Sequence, residues 1–180
     1  MKYIFLIIAL FVFSNIIAQP SAAYFFQPVQ SWTGSKKDGK FYTGRGVMTF
    51  KDGSTFEGEV APANLGTDVA WNLRLVKGTY TYKSHPEYEK YIGTFGSNYQ
   101  FAGKKFEYAA GVLPSGFGKV WYKNGDVYTG YFDLGVPWGY GTTIKKDGTV
   151  ISGYYHAGKI QWGTVKDKNG KYIETITQEE

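Results

Sequence analysis

Residues 118–132 read Gly118-Lys-Val-Trp-Tyr122-Lys-Asn-Gly125-Asp-Val-Tyr128-Thr-Gly130-Tyr-Phe132. An Asn-Gly pair between two alternating runs is the strongest short-range hairpin signal, because the favoured two-residue turns need positive φ at both central residues. Alternation puts Val120, Tyr122, Tyr128, Gly130 and Phe132 on one face of that hairpin. Glycine weakens a strand interior unless something approaches its backbone closely, so Gly130 is expected to make room for a tyrosine or phenylalanine of a neighbouring unit.

The same pattern recurs along the chain. Gly46-Val-Met-Thr-Phe50-Lys-Asp-Gly53-Ser-Thr-Phe56-Glu-Gly58-Glu-Val60 matches it at every glycine and at the aromatics beside the turn. Gly141, Gly148 and Gly153 mark a third copy, and Gly163 with Asn169-Gly170 opens a fourth that has Thr175 in place of the strand glycine. The opening glycines Gly118, Gly141 and Gly163 are 23 and 22 residues apart, as are the turn glycines Gly125, Gly148 and Gly170. A degenerate copy runs from Gly78 to Gly93 with its turn lengthened through Ser84-His85-Pro86-Glu87. Self-similarity at a fixed short period marks a repeat architecture in which each unit buries its apolar face against the next.

Composition agrees. Glycine, 24 of 180 residues, and 34 aromatic residues are enriched together. Glycine costs about 1 kcal/mol in a helix interior, whereas aromatics and sharp turns suit sheets. With 43% hydrophobic and 19% charged residues the chain has the apolar surface to fold. Cysteine is absent, which excludes disulfides and thiolate chemistry.

The unit resembles the MORN (membrane occupation and recognition nexus) repeat, with Gly116, Gly118, Gly125, Tyr128, Gly130, Phe132 and Gly135 in that family's positions. Departures are Lys145 where an aromatic is usual, Ile151 for the tyrosine, and two insertions. The resemblance implies an all-β fold, an elongated antiparallel sheet of stacked hairpins over residues 38–180, and a non-enzymatic assembly or membrane-proximal role. Residues 19–37 are expected to form a linker.

The insertions follow Val60 and Phe95 and are expected on the edge opposite the Asp/Asn-Gly turns. They carry Trp71, Tyr99, Phe101, Phe106 and Tyr108, which either anchor a partner or form a lid over the apolar face. Lys51, Lys123, Lys145 and Lys146 sit beside the turns, as a contact row for an anionic lipid surface or polysaccharide, or as solubilising edge charges.

Catalytic chemistry is sparse. His85 and His156 fit no metal motif and are expected at the surface. Glu57 and Glu59 are two apart on one strand, which gives a glycan hydrolase the weakest of three functional readings. Ser115 lacks a nucleophile-elbow context, and Gly139-Tyr-Gly141 starts no helix, so no cofactor is expected. The net charge is +5 with no Lys/Arg run longer than two, so no nucleic acid partner is expected.

Residues 1–18 combine Lys2, an apolar run over 3–13 and small residues before Gln19, the layout of a signal peptide, with an uncleaved anchor as the alternative. The sequence is therefore expected to be an exported scaffold for an unknown protein partner or for itself, with anionic-surface or polysaccharide binding second. If Trp71 and Phe101 form a partner site, replacing both by Ala should abolish capture with the melting temperature almost unchanged. If they form a lid, denaturant unfolding should show a loss of about 3 to 5 kcal/mol per ring.

Overall fold

A computed structural model describes residues 29–37, 40–41, 43–62, 73–96 and 113–177. Every regular element among them is a strand: β1 (Val29–Trp32), β2 (Lys36–Lys37), β3 (Lys40–Phe41), β4 (Gly44–Phe50), β5 (Thr55–Pro62), β6 (Leu73–Thr81), β7 (Tyr88–Phe95), β8 (Pro114–Tyr122), β9 (Val127–Asp133), β10 (Val136–Ile144), β11 (Val150–His156), β12 (Lys159–Lys166) and β13 (Tyr172–Thr177). Eleven form one open sheet in the order β1-β4-β5-β6-β7-β8-β9-β10-β11-β12-β13, while β2 and β3 pair separately. From β4 onward each strand pairs with the next in sequence, so the expected antiparallel stack of hairpins is what forms. Val29–Trp32, within the stretch 19–37, pairs with β4 as the first strand of the sheet.

One row of glycines crosses nine strands. Gly46 pairs with Gly58, Gly58 with Gly78, Gly78 with Gly93, Gly93 with Gly118, Gly118 with Gly130, Gly130 with Gly141, Gly141 with Gly153 and Gly153 with Gly163. Large side chains lie down over this row. A Cβ added at Gly93 or at Gly118 would come within 2.6 Å of Cζ of Tyr91, so that one ring covers both. Tyr128 covers Gly130 and Gly141 in the same way, and Phe56 covers Gly58 and Gly78. The ring over Gly130 thus comes from two residues earlier on its own strand, not from a neighbouring unit, and it extends onto the glycine of the next strand. At Gly153 the space is taken by Ile160 and the backbone of β12, so no aromatic ring is involved there.

The tyrosines are held flat by their own hydroxyls. Tyr91 donates to the carbonyl of Thr94 at 2.8 Å and Tyr128 to that of Tyr131 at 3.0 Å, each three residues along the strand. Edge-to-face contacts then link unit to unit: Tyr91 with Phe95 and Phe132 (ring centroids 5.1 and 5.0 Å), Tyr128 with Phe132 and Tyr155 (5.2 and 4.8 Å). Met48, Phe50, Phe56, Val60, Tyr80, Tyr91, Val120, Tyr128 and Phe132 are buried on this inner face.

The Asp/Asn-Gly turns differ from the expected type. Gly125 has φ 92° and Gly148 has φ 90°, but the residues before them stay at negative φ. Gly125 N–H donates to Tyr122 and Tyr122 N–H to Asp126, a type I turn closed by a left-handed glycine, which needs one positive φ rather than two. Turns with two positive φ values occur on the opposite edge, at Leu134-Gly135 (51° and 88°) and Ala157-Gly158 (48° and 83°). β5 and β7 also end at that edge, at Pro62 and Phe95.

Gly118→Val should lower stability by about 1 to 3 kcal/mol through overpacking against Tyr91, read as a shift of the urea midpoint at unchanged slope. In a Tyr91→Ala background the added cost should shrink, because the atoms nearest the new Cβ all belong to Tyr91.

Candidate functional site

The outer face divides along its length. The residues adjoining the glycine row point outward, and on the first four repeat strands they are Arg45, Glu59, Lys77 and Thr94, paired in that order. On the next five strands the corresponding residues are Phe117, Tyr131, Tyr140, Tyr154 and Trp162. Phe117 pairs with Tyr131, Tyr140 with Tyr154 and Tyr154 with Trp162. Tyr140 is 60% exposed, Phe117 58%, Tyr131 53% and Trp162 47%, while Tyr154 is half-buried. Rings this exposed are not core.

These rings touch each other. Phe117 and Tyr131 meet edge to face at 5.5 Å, as do Tyr140 with Tyr154 and Tyr140 with Trp162, and the Tyr154 and Trp162 planes lie within 9° of parallel. One step towards the turns lies a second row, Lys119, Thr129, Thr142, Ser152 and Thr164, again in register across the five strands. Thr142 and Ser152 share a hydroxyl hydrogen bond of 2.9 Å. Lys119, the only charge in the two rows, lies with its ammonium 4.8 Å from the ring centre of Trp121. These aromatics were not singled out from the sequence, although each adjoins a repeat glycine.

The turn edge is mixed in charge. Lys145 pairs with Asp126 at 2.6 Å, and Lys146 donates its backbone N–H to the same carboxylate at 2.9 Å. Burial raises the Asp126 pKa, but the Lys145 ammonium, the Lys146 N–H and Asn124 outweigh it and hold the carboxyl below its usual range. The Lys123 ammonium donates to the carbonyl of His85 at 2.6 Å. Lys123 and Lys145 of the expected contact row thus also make contacts within the fold, and all four of its lysines, with Lys51 and Lys146, are exposed at this edge. Asp52 is also held below its usual range, burial being overcome by hydrogen bonds from Ser84 and Ser54.

On the inner side a cleft of about 600 Å³ is lined by Pro86, Glu87, Tyr122, Lys123, Asp126 and Tyr155 among others. Of its two carboxylates Asp126 is engaged as described and Glu87 is exposed, and the Thr143 hydroxyl shares a 2.8 Å hydrogen bond with that of Tyr155. Glu57 and Glu59 are exposed on the charged half of the outer face. Among the described residues no group of three or more His, Asp or Glu side chains could hold a metal ion. Trp71, Tyr99, Phe101, Phe106 and Tyr108 lie outside the described residues, as do residues 1–28.

Three segments match the family model of the MORN repeat: 32–55, 113–127 and 128–150. The chain carries MORN repeats. The last two matched segments span β8, β9 and β10, and so include three of the five outer rings. Phe117, Tyr131 and Tyr140 fall inside them, and Tyr154 pairs with Tyr140 just beyond. No curated protein matches the chain. No helix of the described residues is long and apolar enough to cross a membrane.

His85 corrects the expectation of a surface histidine, whereas His156 is exposed as expected, against Trp138. In the turn between β6 and β7 the His85 ring is fully buried and stacks on Tyr88 at 4.3 Å, with Nδ1 accepting the N–H of Glu87 and of Tyr88. Burial first, and the nearby Lys123 ammonium second, bring its pKa down from 6.5 to about 4. The folded imidazole resists protonation while the unfolded one accepts it. Stability should therefore be complete above about pH 6.5 and fall by roughly 1 kcal/mol per pH unit towards about pH 4, checked by melts across that window. His85→Gln should flatten that slope; an equally steep slope would assign it to other groups.

Proposed function

We propose that the chain is an exported, non-catalytic scaffold that binds through the aromatic half of its outer sheet face. The observation that carries this reading is the change at equivalent positions from Arg45, Glu59, Lys77 and Thr94 to Phe117, Tyr131, Tyr140, Tyr154 and Trp162. Contiguous exposed apolar surface on a folded domain marks an interaction site more often than it marks accident. Export is supported by the apolar run over residues 3–13 behind Lys2. A binding role, to a partner or to a second copy, also suits a fold whose glycine row and inner tyrosines Tyr91 and Tyr128 are spent on holding strands together.

The test uses the full chain and isolated envelopes of the cells that produce it. Cell fractionation should find the protein outside the cytosol. Cosedimentation with envelopes should fall at least about tenfold for a Tyr140→Ser/Trp162→Ser variant with an unchanged melt, and should persist for a Lys51→Ser/Lys146→Ser variant. Loss in the lysine variant alone would favour the turn edge instead.

A further inference from the structure

We infer that the outer aromatic row is a platform for a neutral, extended, β-linked polysaccharide. This rests on the scaffold reading and names its ligand. Phe117, Tyr131, Tyr140, Tyr154 and Trp162 stand on five consecutive strands, β8 to β12, about 4.8 Å apart from strand to strand, and form one ring pair, Phe117 with Tyr131, and one cluster, Tyr140, Tyr154 and Trp162, with centroids 5.5 to 6.0 Å apart. A β-linked sugar chain in its extended form advances by nearly one such step per sugar, and each pyranose offers a flat face of C–H groups. An extended chain of about four sugars can therefore lie across the five strands and meet both ring groups.

The second row supplies the other half of sugar recognition. Thr129, Thr142, Ser152 and Thr164 run parallel to the rings, two residues away along each strand on the same face, and a hydroxyl both donates and accepts as sugar hydroxyls require. The rings are already positioned by their edge-to-face contacts with each other, which lowers the ordering cost of binding.

Charge decides among polymers. A single-stranded nucleic acid also stacks on aromatic rows, but it needs basic side chains along its backbone, and an anionic lipid surface needs a basic cluster. The two rows contain one lysine, and its ammonium is drawn to Trp121. The charged half of the same face, with Arg45, Glu57, Glu59 and Lys77, shows that this sheet accepts charge readily where the rings are absent. An uncharged strip of rings and hydroxyls is complementary to an uncharged ligand of rings and hydroxyls.

Native gel electrophoresis of the full chain through gels containing hydroxyethylcellulose, xylan, galactomannan or dextran tests this directly. Retardation is expected in at least one of the β-linked polymers, with little effect in α-linked dextran and little change between low and physiological salt. Tyr140→Ser/Trp162→Ser should weaken that retardation about tenfold or more with an unchanged melting temperature. If the double variant unfolds, Tyr140→Ser alone, at the most exposed ring, should still weaken it. Retardation by none of the β-linked polymers, retardation unaffected by the ring variants, or retardation abolished by salt would each overturn the inference. So would sedimentation showing a dimer that the ring variants convert to monomer, since the rings would then seat a second copy. If polysaccharides fail while envelope binding still depends on the rings, the scaffold reading stands and only its ligand is wrong.

Discussion

The structure depends on a flat aromatic ring laid across two glycines. Among the described residues no second layer covers the apolar face of the sheet, and there the burial occurs within the thickness of the side chains themselves. Tyr128 does this by lying along β9 over Gly130 and crossing to Gly141 of β10, its hydroxyl satisfied by the Tyr131 carbonyl. Tyr91 repeats the arrangement one unit earlier over Gly93 and Gly118. Each ring is then an edge or a face for the next aromatic, which carries the apolar contact from unit to unit. A Cβ on any of these glycines would lift the ring and open the contact.

The same constraint sets register. In a sheet with one apolar face a slip by one residue turns every side chain over. Here a slip would also move a glycine from under its ring, so the unbroken row from Gly46 to Gly163 is a register device as well as a packing one. The turns reinforce it. Asp126 ties its own hairpin to the next through Lys145 and the Lys146 N–H, and Asp52 reaches Ser84 of the following turn at 2.6 Å. The polar edge thus links neighbouring units as the rings link the inner face.

Much of this was legible in the sequence because the repeat makes each residue testify several times. The hairpins, the inward set Met48, Phe56, Tyr128 and Phe132, the need for bare glycine at Gly130, and the departure of both insertions from one edge all follow from period and alternation. What was not legible has physical reasons. Alternation cannot say whether a ring covers its own strand or a neighbour's, since both lie within a tyrosine's reach. Asn124-Gly125 fits a turn with one positive φ as well as one with two, and Leu134-Gly135 carries no asparagine to advertise the stricter type that it adopts. His85 is polar in a long turn, and nothing local shows that Tyr82 and Tyr88 close around it.

The outer rings were missed for a different reason, and that reason bears on function. The eye follows the conserved-looking positions of a repeat, Tyr-x-Gly-x-Phe, and discounts the x. Yet the x beside the glycine is the position at which the chain's two halves diverge, Arg45, Glu59, Lys77 and Thr94 giving way to Phe117, Tyr131, Tyr140, Tyr154 and Trp162. The inner packing is alike in both halves, with Phe56 over its glycine pair as Tyr128 is over its own. The fold is therefore met equally well by charge or by rings at the outward position. Cross-strand aromatic pairs do add some stability, on the order of 0.2 to 1 kcal/mol each, but they do so at the cost of leaving Tyr140 and Phe117 more than half exposed to water. A residue class that the fold does not require, repeated on five successive strands and confined to one half of one face, is what the proposed binding role accounts for and the packing of the sheet does not.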